Sequence, residues 1–302
     1  MSTVFLGTSE FAAGVLERLA RSEAHRPALV LTRPDRPSGR GRRLTSPPVA
    51  ERARALAIPL EQPESVNDPA VSALMGHAGD TRTVVVCAFG ALIKEPLLSE
   101  HDMLNVHPSL LPRWRGAAPI ERAIMAGDAQ TGVSIMRLTA GLDSGPVCLA
   151  GAEQIQPEDT YGSLAPRLQQ LGGELLLRAL DDAPPFLEQA EDGVTYAEKI
   201  VAADRLLDTD RPAVELERVV RALHPHIGAR VALADGTLLG VHRAALMVDE
   251  PAGDEPGVRV HDGRLLLDCS PGVLELLLVQ PPGARAMDAA SYLRGHGLPG
   301  RR

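Results

Sequence analysis

Cysteine is scarce in this chain. The three thiols, Cys87, Cys148 and Cys269, are odd in number, show no CxxC spacing and sit in apolar, strand-like runs. That pattern argues against a disulfide framework or a thiolate metal site and predicts buried, reduced cysteines. Long apolar runs are missing too. No stretch of about 18 residues is apolar throughout, so no membrane span is expected. Residues Met1 to Gly7 carry no basic segment and no cleavage motif. No secretory signal is therefore expected, and the chain reads as cytoplasmic. Lysine occurs only at Lys94 and Lys199, and arginine supplies the remaining formal positive charge. With abundant alanine, glycine and proline this reads as coding bias, so a single arginine says little about a need for a guanidinium. The net charge of -8 argues against a general nucleic-acid binder. A dinucleotide fingerprint is absent as well: the first turn reads Gly7-Thr8-Ser9-Glu10-Phe11, not GxGxxG. No internal repeat is evident.

What is present is a chain of 302 residues, long enough for two domains with their own cores. Thr3 to Leu6 reads as a strand, Ser9 as the N-cap of a helix burying Phe11, Val15, Leu16 and Leu19, and Ala28 to Leu31 as a second strand. Strand-helix-strand opens a parallel α/β sheet. Thr32 to Pro48 reads as a long polar loop and is the densest basic patch, with Arg33, Arg36, Arg40, Arg42 and Arg43. On composition it is either a solvated surface loop or a contact for a phosphate backbone. Helices are expected over 48–56 and 68–75. Thr83 to Cys87 is a β-branched run suited to a central strand buried on both faces. Further strands are expected over 104–107, 131–138 and 146–149, with helices over 119–126 and 160–180, the latter interrupted near Gly172-Gly173. Pro-rich, acidic sequence then suggests a linker. These signals divide the chain into a domain over 1–182, a linker over 183–205 and a small β-barrel carrying one helix over 206–302. In the barrel, Asp235-Gly236 and Asp262-Gly263 are hairpin signals.

The chemistry concentrates between Leu104 and Gly145. Asn105 and His107 are two apart, so a strand places both on one face. A Pro-rich loop follows, and a second loop presents Asp143 between Gly141 and Gly145. No second His or Cys lies near, so no metal is expected. Ser109 is a poor partner for His107 in a nucleophilic triad, because Pro108 intervenes. An amide donor, an imidazole and a carboxylate suit chemistry through an oxyanionic tetrahedral intermediate, such as transfer of an activated acyl group to an amine. Taken singly, each residue reads equally well as structural: a packed histidine, a turn aspartate, a capping asparagine.

Asn105-Val106-His107-Pro108-Ser109-Leu110-Leu111-Pro112 together with Asp143 resembles the signature of formyltransferases that use 10-formyltetrahydrofolate. Gly7-Thr8-Ser9-Glu10-Phe11-Ala12, Arg33-Pro34-Asp35-Arg36-Pro37-Ser38-Gly39-Arg40-Gly41, Arg113 to Ile120 and Gly141 to Gly145 are similar to the branch of that family acting on methionyl-initiator tRNA. Val194 to Ile200 resembles that branch's bridge into its C-terminal domain. The resemblance implies an α/β, Rossmann-like parallel-sheet formyltransferase domain followed by a small OB-like β-barrel that contacts tRNA. It implies Asn105, His107 and Asp143 as catalytic residues. It places the folate cosubstrate near Ser109, Leu110, Leu111 and Pro112, with Phe89 and Leu92 as a pterin wall. It assigns Arg36, Arg40, Arg42 and Arg43 to tRNA and implies a bacterial enzyme serving translation initiation; a monomer is the default expectation. The chain departs from the branch at Leu223-His224-Pro225-His226-Ile227-Gly228-Ala229, where a Trp-containing segment is usual. Formylation of an amino sugar or another small amine, and hydrolysis of formyl-folate, remain the rival chemistries. A non-catalytic RNA-binding protein is the rival from another class. The Arg loop and the added barrel favour tRNA over small acceptors, and the intact Asn105, His107 and Asp143 favour an enzyme.

Overall fold

The structure, a computed structural model, describes residues 3–38, 43–78, 83–253 and 255–296. The chain forms two compact units. One comprises Met1–Pro119, Gln130–Gln154 and Ala165–Glu198; the other comprises Ile120–Ala129, Ile155–Leu164 and Lys199–Arg302.

The first unit begins β1 (Thr3–Gly7), α1 (Glu10–Ala20), β2 (Pro27–Leu31). Ser9 caps α1, its hydroxyl accepting the Ala12 N–H at 3.3 Å, a bond of the kind worth about 1 kcal/mol. Then come β3 (Arg36–Ser38), β4 (Arg43–Thr45), α2 (Pro48–Ala55), β5 (Leu60–Glu61) and α3 (Pro69–His77). They are followed by β6 (Thr83–Cys87), α4 (Leu97–Glu100), β7 (Asp102–His107), β8 (Arg115–Gly116) and α5 (Pro119–Ala126), which falls in the second unit from Ile120 onward. β9 (Gln130–Arg137), β10 (Val147–Gln154), α6 (Tyr161–Asp182) and β11 (Tyr196–Ala197) complete the series. The main sheet has the order β10-β9-β7-β6-β1-β2-β5. β5, β2, β1, β6 and β7 run parallel, β9 runs antiparallel to β7, and β10 runs antiparallel to β9. The sheet is therefore mixed, with its parallel half ending on β7. Every residue of β1 is buried, as are Val84 to Cys87 of β6, the continuous apolar pattern of strands covered on both faces.

Three expectations change here. The basic stretch is not an open loop: β3 and β4 pair as an antiparallel hairpin, Arg36 opposite Thr45 and Ser38 opposite Arg43. The helix over 161–182 is continuous through Gly172-Gly173. A Cβ on Gly172 would stand 3.0 Å from Val106, and one on Gly173 2.6 Å from the Arg18 side chain. Close packing of α6 on its neighbours, not a break, accounts for this pair. Finally, residues 183–198 are not a free tether. Val147 and Leu187 exchange two backbone hydrogen bonds, and β11 pairs with β8, so this stretch belongs to the first unit.

The second unit contains α7 (Ala213–Leu223), β12 (Ala229–Ala232), β13 (Leu238–Met247), β14 (Gly257–His261), β15 (Arg264–Asp268), β16 (Val273–Gln280), β17 (Met287–Asp288) and α8 (Ala289–His296). The sheet order is β12-β13-β16-β15-β14, with β17 on β16. This is a curled antiparallel half-barrel. The expected Asp-Gly turns join β12 to β13 and β14 to β15. Asp262 and Gly263 both take positive φ, 49° and 74°, as a tight primed turn requires. α7 and α8 both accompany the sheet where one helix was expected. α7 packs Leu216, Val219, Val220 and Leu223 into a core with Val231, Leu239, Val241, Leu265, Leu267, Leu274 and Leu276, and Tyr292 of α8 joins them. His224 caps α7, and His226 stacks on Tyr161 and pairs with Glu121 at 2.9 Å. Burial lowers the pKa of His224 below the ordinary histidine range, and the neighbouring His242 and His226 push in the same direction. No helix among the described residues is long and apolar enough to cross a membrane.

The cysteines carry no disulfide. Burial pushes the Cys269 thiol up to about 12 and raises Cys87 and Cys148 above the usual thiol range. Because the thiolate is the reactive form, thiol titration of the native protein at pH 7.5 is expected to be slow at all three sites. All three should become fast in denaturant.

Candidate active site

The carboxyl ends of β1, β6 and β7 lie side by side, the position at which an open α/β sheet presents its ligands. Asn105 and His107 point to one face of β7, as their spacing predicts, and both are buried, at 8% and 4% exposure. Asp143 reaches them from the loop between β9 and β10. Asn105 Nδ2 donates to Asp143 Oδ1 at 3.4 Å, and His107 Nδ1 stands 3.6 Å from Asp143 Oδ2. The tightest bond to this carboxylate comes from the main chain: the Gly116 N–H donates to Oδ2 at 2.8 Å. His107 Nε2 lies 2.8 Å from the Trp114 carbonyl. A carbonyl only accepts, so Nε2 carries the hydrogen and Nδ1 is the nitrogen turned to Asp143. The structure thus brings the three predicted catalytic residues together.

Unusual backbone holds this arrangement. Asp143 has φ 44°, Trp114 φ 63° and Gly116 φ 120°. Positive φ at a residue other than glycine persists where surrounding contacts over-determine it. At Gly116 no side chain fits, since a Cβ would lie 2.8 Å from the Ala197 carbonyl oxygen.

The residues expected near a folate divide by environment. Leu110, Leu111 and Pro112 are half-buried in the loop after β7. Ser109 is fully buried, and its hydroxyl donates to the Arg113 carbonyl at 2.6 Å. That bond shapes the loop and leaves the hydroxyl turned inward. Phe89 is buried in the core, whereas Leu92 is 67% exposed. The loop carrying both is pinned by three bonds. Thr8 donates to the Phe89 carbonyl at 2.7 Å, Asn67 to that of Leu92 at 2.8 Å, and Arg33 to that of Gly90 at 3.1 Å.

Of the expected tRNA contacts, Arg36 and Arg43 are exposed on the hairpin, and the β pairing puts them on the same face. Arg40 and Arg42 lie outside the described residues. The hairpin's root is closed by a ring of hydrogen bonds. Ser46 donates to Asp35 Oδ2 at 2.9 Å, Gln62 to Asp35 Oδ1 at 2.7 Å, and Arg54 to both Ser46 and Gln62. Hydrogen bonds from Gln62, then Ser46, hold the Asp35 carboxyl below the usual carboxylate range.

Composition and motif offered no reason to single out Gln189. Its Nε2 donates to the carbonyls of Asp143 and Gly145 at 2.8 and 2.7 Å, and its Oε1 accepts from Arg115. Gly116 and the Trp114 carbonyl were likewise missed as individual donors and acceptors, although their motif was visible. Among the described residues no group of three His, Cys, Asp or Glu side chains is arranged to hold a metal.

An amide, an imidazole and a carboxylate converging at the ends of a parallel sheet, with no nucleophile in line, mark a group-transfer enzyme. The chain belongs to the formyl transferase family: the formyl transferase domain matches residues 1–180 and its C-terminal domain residues 199–297. It is 42% identical over 306 residues to the methionyl-tRNA formyltransferase of Cereibacter sphaeroides, spanning 99% of this chain and 97% of that one. Among solved structures, the methionyl-tRNA formyltransferase from Clostridium thermocellum superposes with a TM-score of 0.61 at 11% identity, over 83% of this chain and 95% of that one. HypX from Aquifex aeolicus in complex with tetrahydrofolic acid superposes with a TM-score of 0.64 at 16% identity, over 98% of this chain and 48% of that one.

Gly116→Ala is expected to strain this site, costing about 1–3 kcal/mol, read as a lowered Tm, with transfer activity lost alongside. For Asp35 the depressed pKa fixes the sign. The ring is intact above the unfolded aspartate value of about 3.9 and is lost as pH falls through the lower folded value. The Asp35 carboxyl resonance should titrate below the ordinary range, with amide protection in the hairpin disappearing over that same acid interval.

Proposed function

We propose that this chain transfers the formyl group of 10-formyltetrahydrofolate to the free amine of methionyl-initiator tRNA, yielding the N-formylated initiator for translation. The convergence of Asn105 and His107 on Asp143 carries this reading, and relatives matched along nearly the whole chain support the acceptor. The neutral methionine amine attacks the N10-formyl carbon. Its C–N bond forms as the carbonyl π electrons move to oxygen, giving a tetrahedral oxyanion. Collapse restores the carbonyl and breaks the bond to N10. The attacking nitrogen must lose a proton and N10 must gain one. Asp143, already receiving the Asn105 and Gly116 N–H groups, is the base that moves it. Asn105 has a second N–H to offer the oxyanion, and His107 supplies an imidazole fixed at Nε2 by the Trp114 carbonyl. One such preorganised donor is worth roughly 2.7–4 kcal/mol in acyl-transfer sites. The loop of Leu110 to Pro112 and the exposed Leu92 line the folate side. The Arg36 and Arg43 face of the hairpin receives the acceptor end of the tRNA, and the half-barrel adds a further tRNA contact. The enzyme works as a cytoplasmic monomer.

Formyl transfer assayed with methionyl-initiator tRNA, uncharged tRNA or no acceptor should proceed only with the charged tRNA. His107→Ala should lower the rate by about 10²–10³, and Asp143→Asn should abolish nearly all turnover while the protein stays folded. Deformylation of the folate at the same rate without acceptor would assign the chain to hydrolysis instead.

A further inference from the structure

The acidic, Pro-rich stretch after α6 is stitched to both loops that build the active site. Towards the loop after β7, the Thr195 hydroxyl accepts the Trp114 N–H at 2.9 Å and the Thr195 carbonyl accepts the Arg115 N–H at 2.9 Å. The Ala197 carbonyl accepts the Ala117 N–H at 2.7 Å. Towards the loop after β9, Leu187 pairs with Val147 through two backbone bonds, and Arg137 stacks on Phe186 with 4.3 Å to the ring centre. One side chain joins the two sides directly. Gln189 sits half-buried. It gives its amide hydrogens to the carbonyls of Asp143 and Gly145 and takes two N–H bonds from Arg115, at 3.0 and 2.7 Å. The orientation of this amide is dictated by its partners. Carbonyls only accept and a guanidinium only donates, so nitrogen faces the Asp143 loop and oxygen faces Arg115. Arg115 immediately precedes Gly116, whose N–H holds the Asp143 carboxylate. Gln189 therefore ties together the residue that carries the carboxylate and the neighbour of the amide that orients it.

We propose that Gln189 is a positioning residue for the transfer reaction: through Arg115 and the Asp143 carbonyl it sets the Asp143 carboxylate against Asn105 and His107. It touches no reacting atom. Its contribution is geometric, fixing a carboxylate whose loop would otherwise be free to shift. This rests on the function proposed above for the site, and one readout below is independent of it. Glutamate at this position keeps the acceptor towards Arg115 but has no hydrogen for the two carbonyls. Leucine offers neither.

The test compares full-length Gln189→Leu and Gln189→Glu with the parent chain. In transfer to methionyl-initiator tRNA, both variants should lose about 10- to 100-fold in kcat, the scale of an ångström-size misplacement, with KM for tRNA and folate nearly unchanged. In the double variant with Asp143→Asn, the loss should be no greater than for Asp143→Asn alone, because Gln189 acts through that carboxylate. Hydrogen exchange at the Gly116 amide should accelerate in both variants whether or not an acceptor has been identified. A loss that multiplies with Asp143→Asn, a change confined to KM, or an unaltered Gly116 amide overturns the proposal. Should the leucine variant fold poorly, the glutamate variant carries the same three readouts. If the parent chain formylates no tRNA, the functional reading fails by itself, and the Gly116 exchange still decides whether Gln189 holds the two loops together.

Discussion

A carboxylate removed from water must be given donors, or folding will expel or protonate it. The Asp143 side chain is only 14% exposed, and the surrounding structure reads as the answer to that requirement. One oxygen receives the Asn105 amide, the other the Gly116 main-chain N–H, and the His107 ring stands beside the second. Meeting the demand forces the backbone into unfavourable territory at Trp114 and Asp143, and it excludes any side chain at Gly116. For the transfer proposed above, these donors are in place before substrate arrives, so little reorganisation is left for the reaction itself.

The sheet makes such precision possible. β7 has a parallel neighbour on one side and an antiparallel one on the other, so Asn105 and His107 project from a strand held along both edges. The residues around them are supplied by loops, which are the more variable part of any fold. Here each loop is tied down. Thr8, Asn67 and Arg33 hold the loop after β6; Ser109 and Ser134 hold the loop after β7. A rigid scaffold with individually pinned loops suits a reaction in which three partners, a donor, an acceptor and a proton relay, must meet within hydrogen-bond distance.

The basic hairpin follows a different logic. Arg36 and Arg43 are exposed and the two strands are short, so little of the hairpin's order comes from burial. The ring at its root compensates by closing the chain between Asp35 and Ser46 with side-chain hydrogen bonds. Such an element keeps a defined base while Arg36 and Arg43 stay exposed, as the tRNA contact proposed above requires.

Local pattern determined much of this protein. Period-2 spacing put Asn105 and His107 on one face because a strand alternates. β-branched Thr83 to Cys87 became a buried central strand because both faces are covered. Asp-Gly made the Asp262-Gly263 turn because that dipeptide tolerates positive φ. The motif around Asn105, His107 and Asp143 also led to the chemistry proposed above, because those three functional groups suit a tetrahedral oxyanion. Tertiary structure decided what depends on residues far apart in the chain. Gly172-Gly173 reads as a break until the approach of Val106 and Arg18 is seen. The stretch over 183–198 reads as a linker because its composition is polar, yet its backbone is consumed by pairing with Val147, Arg115 and Ala117. Gln189 has no local signature at all: an amide that bridges residues 74 positions away on one side and 46 on the other obtains its role from the fold, where distance along the chain no longer separates them.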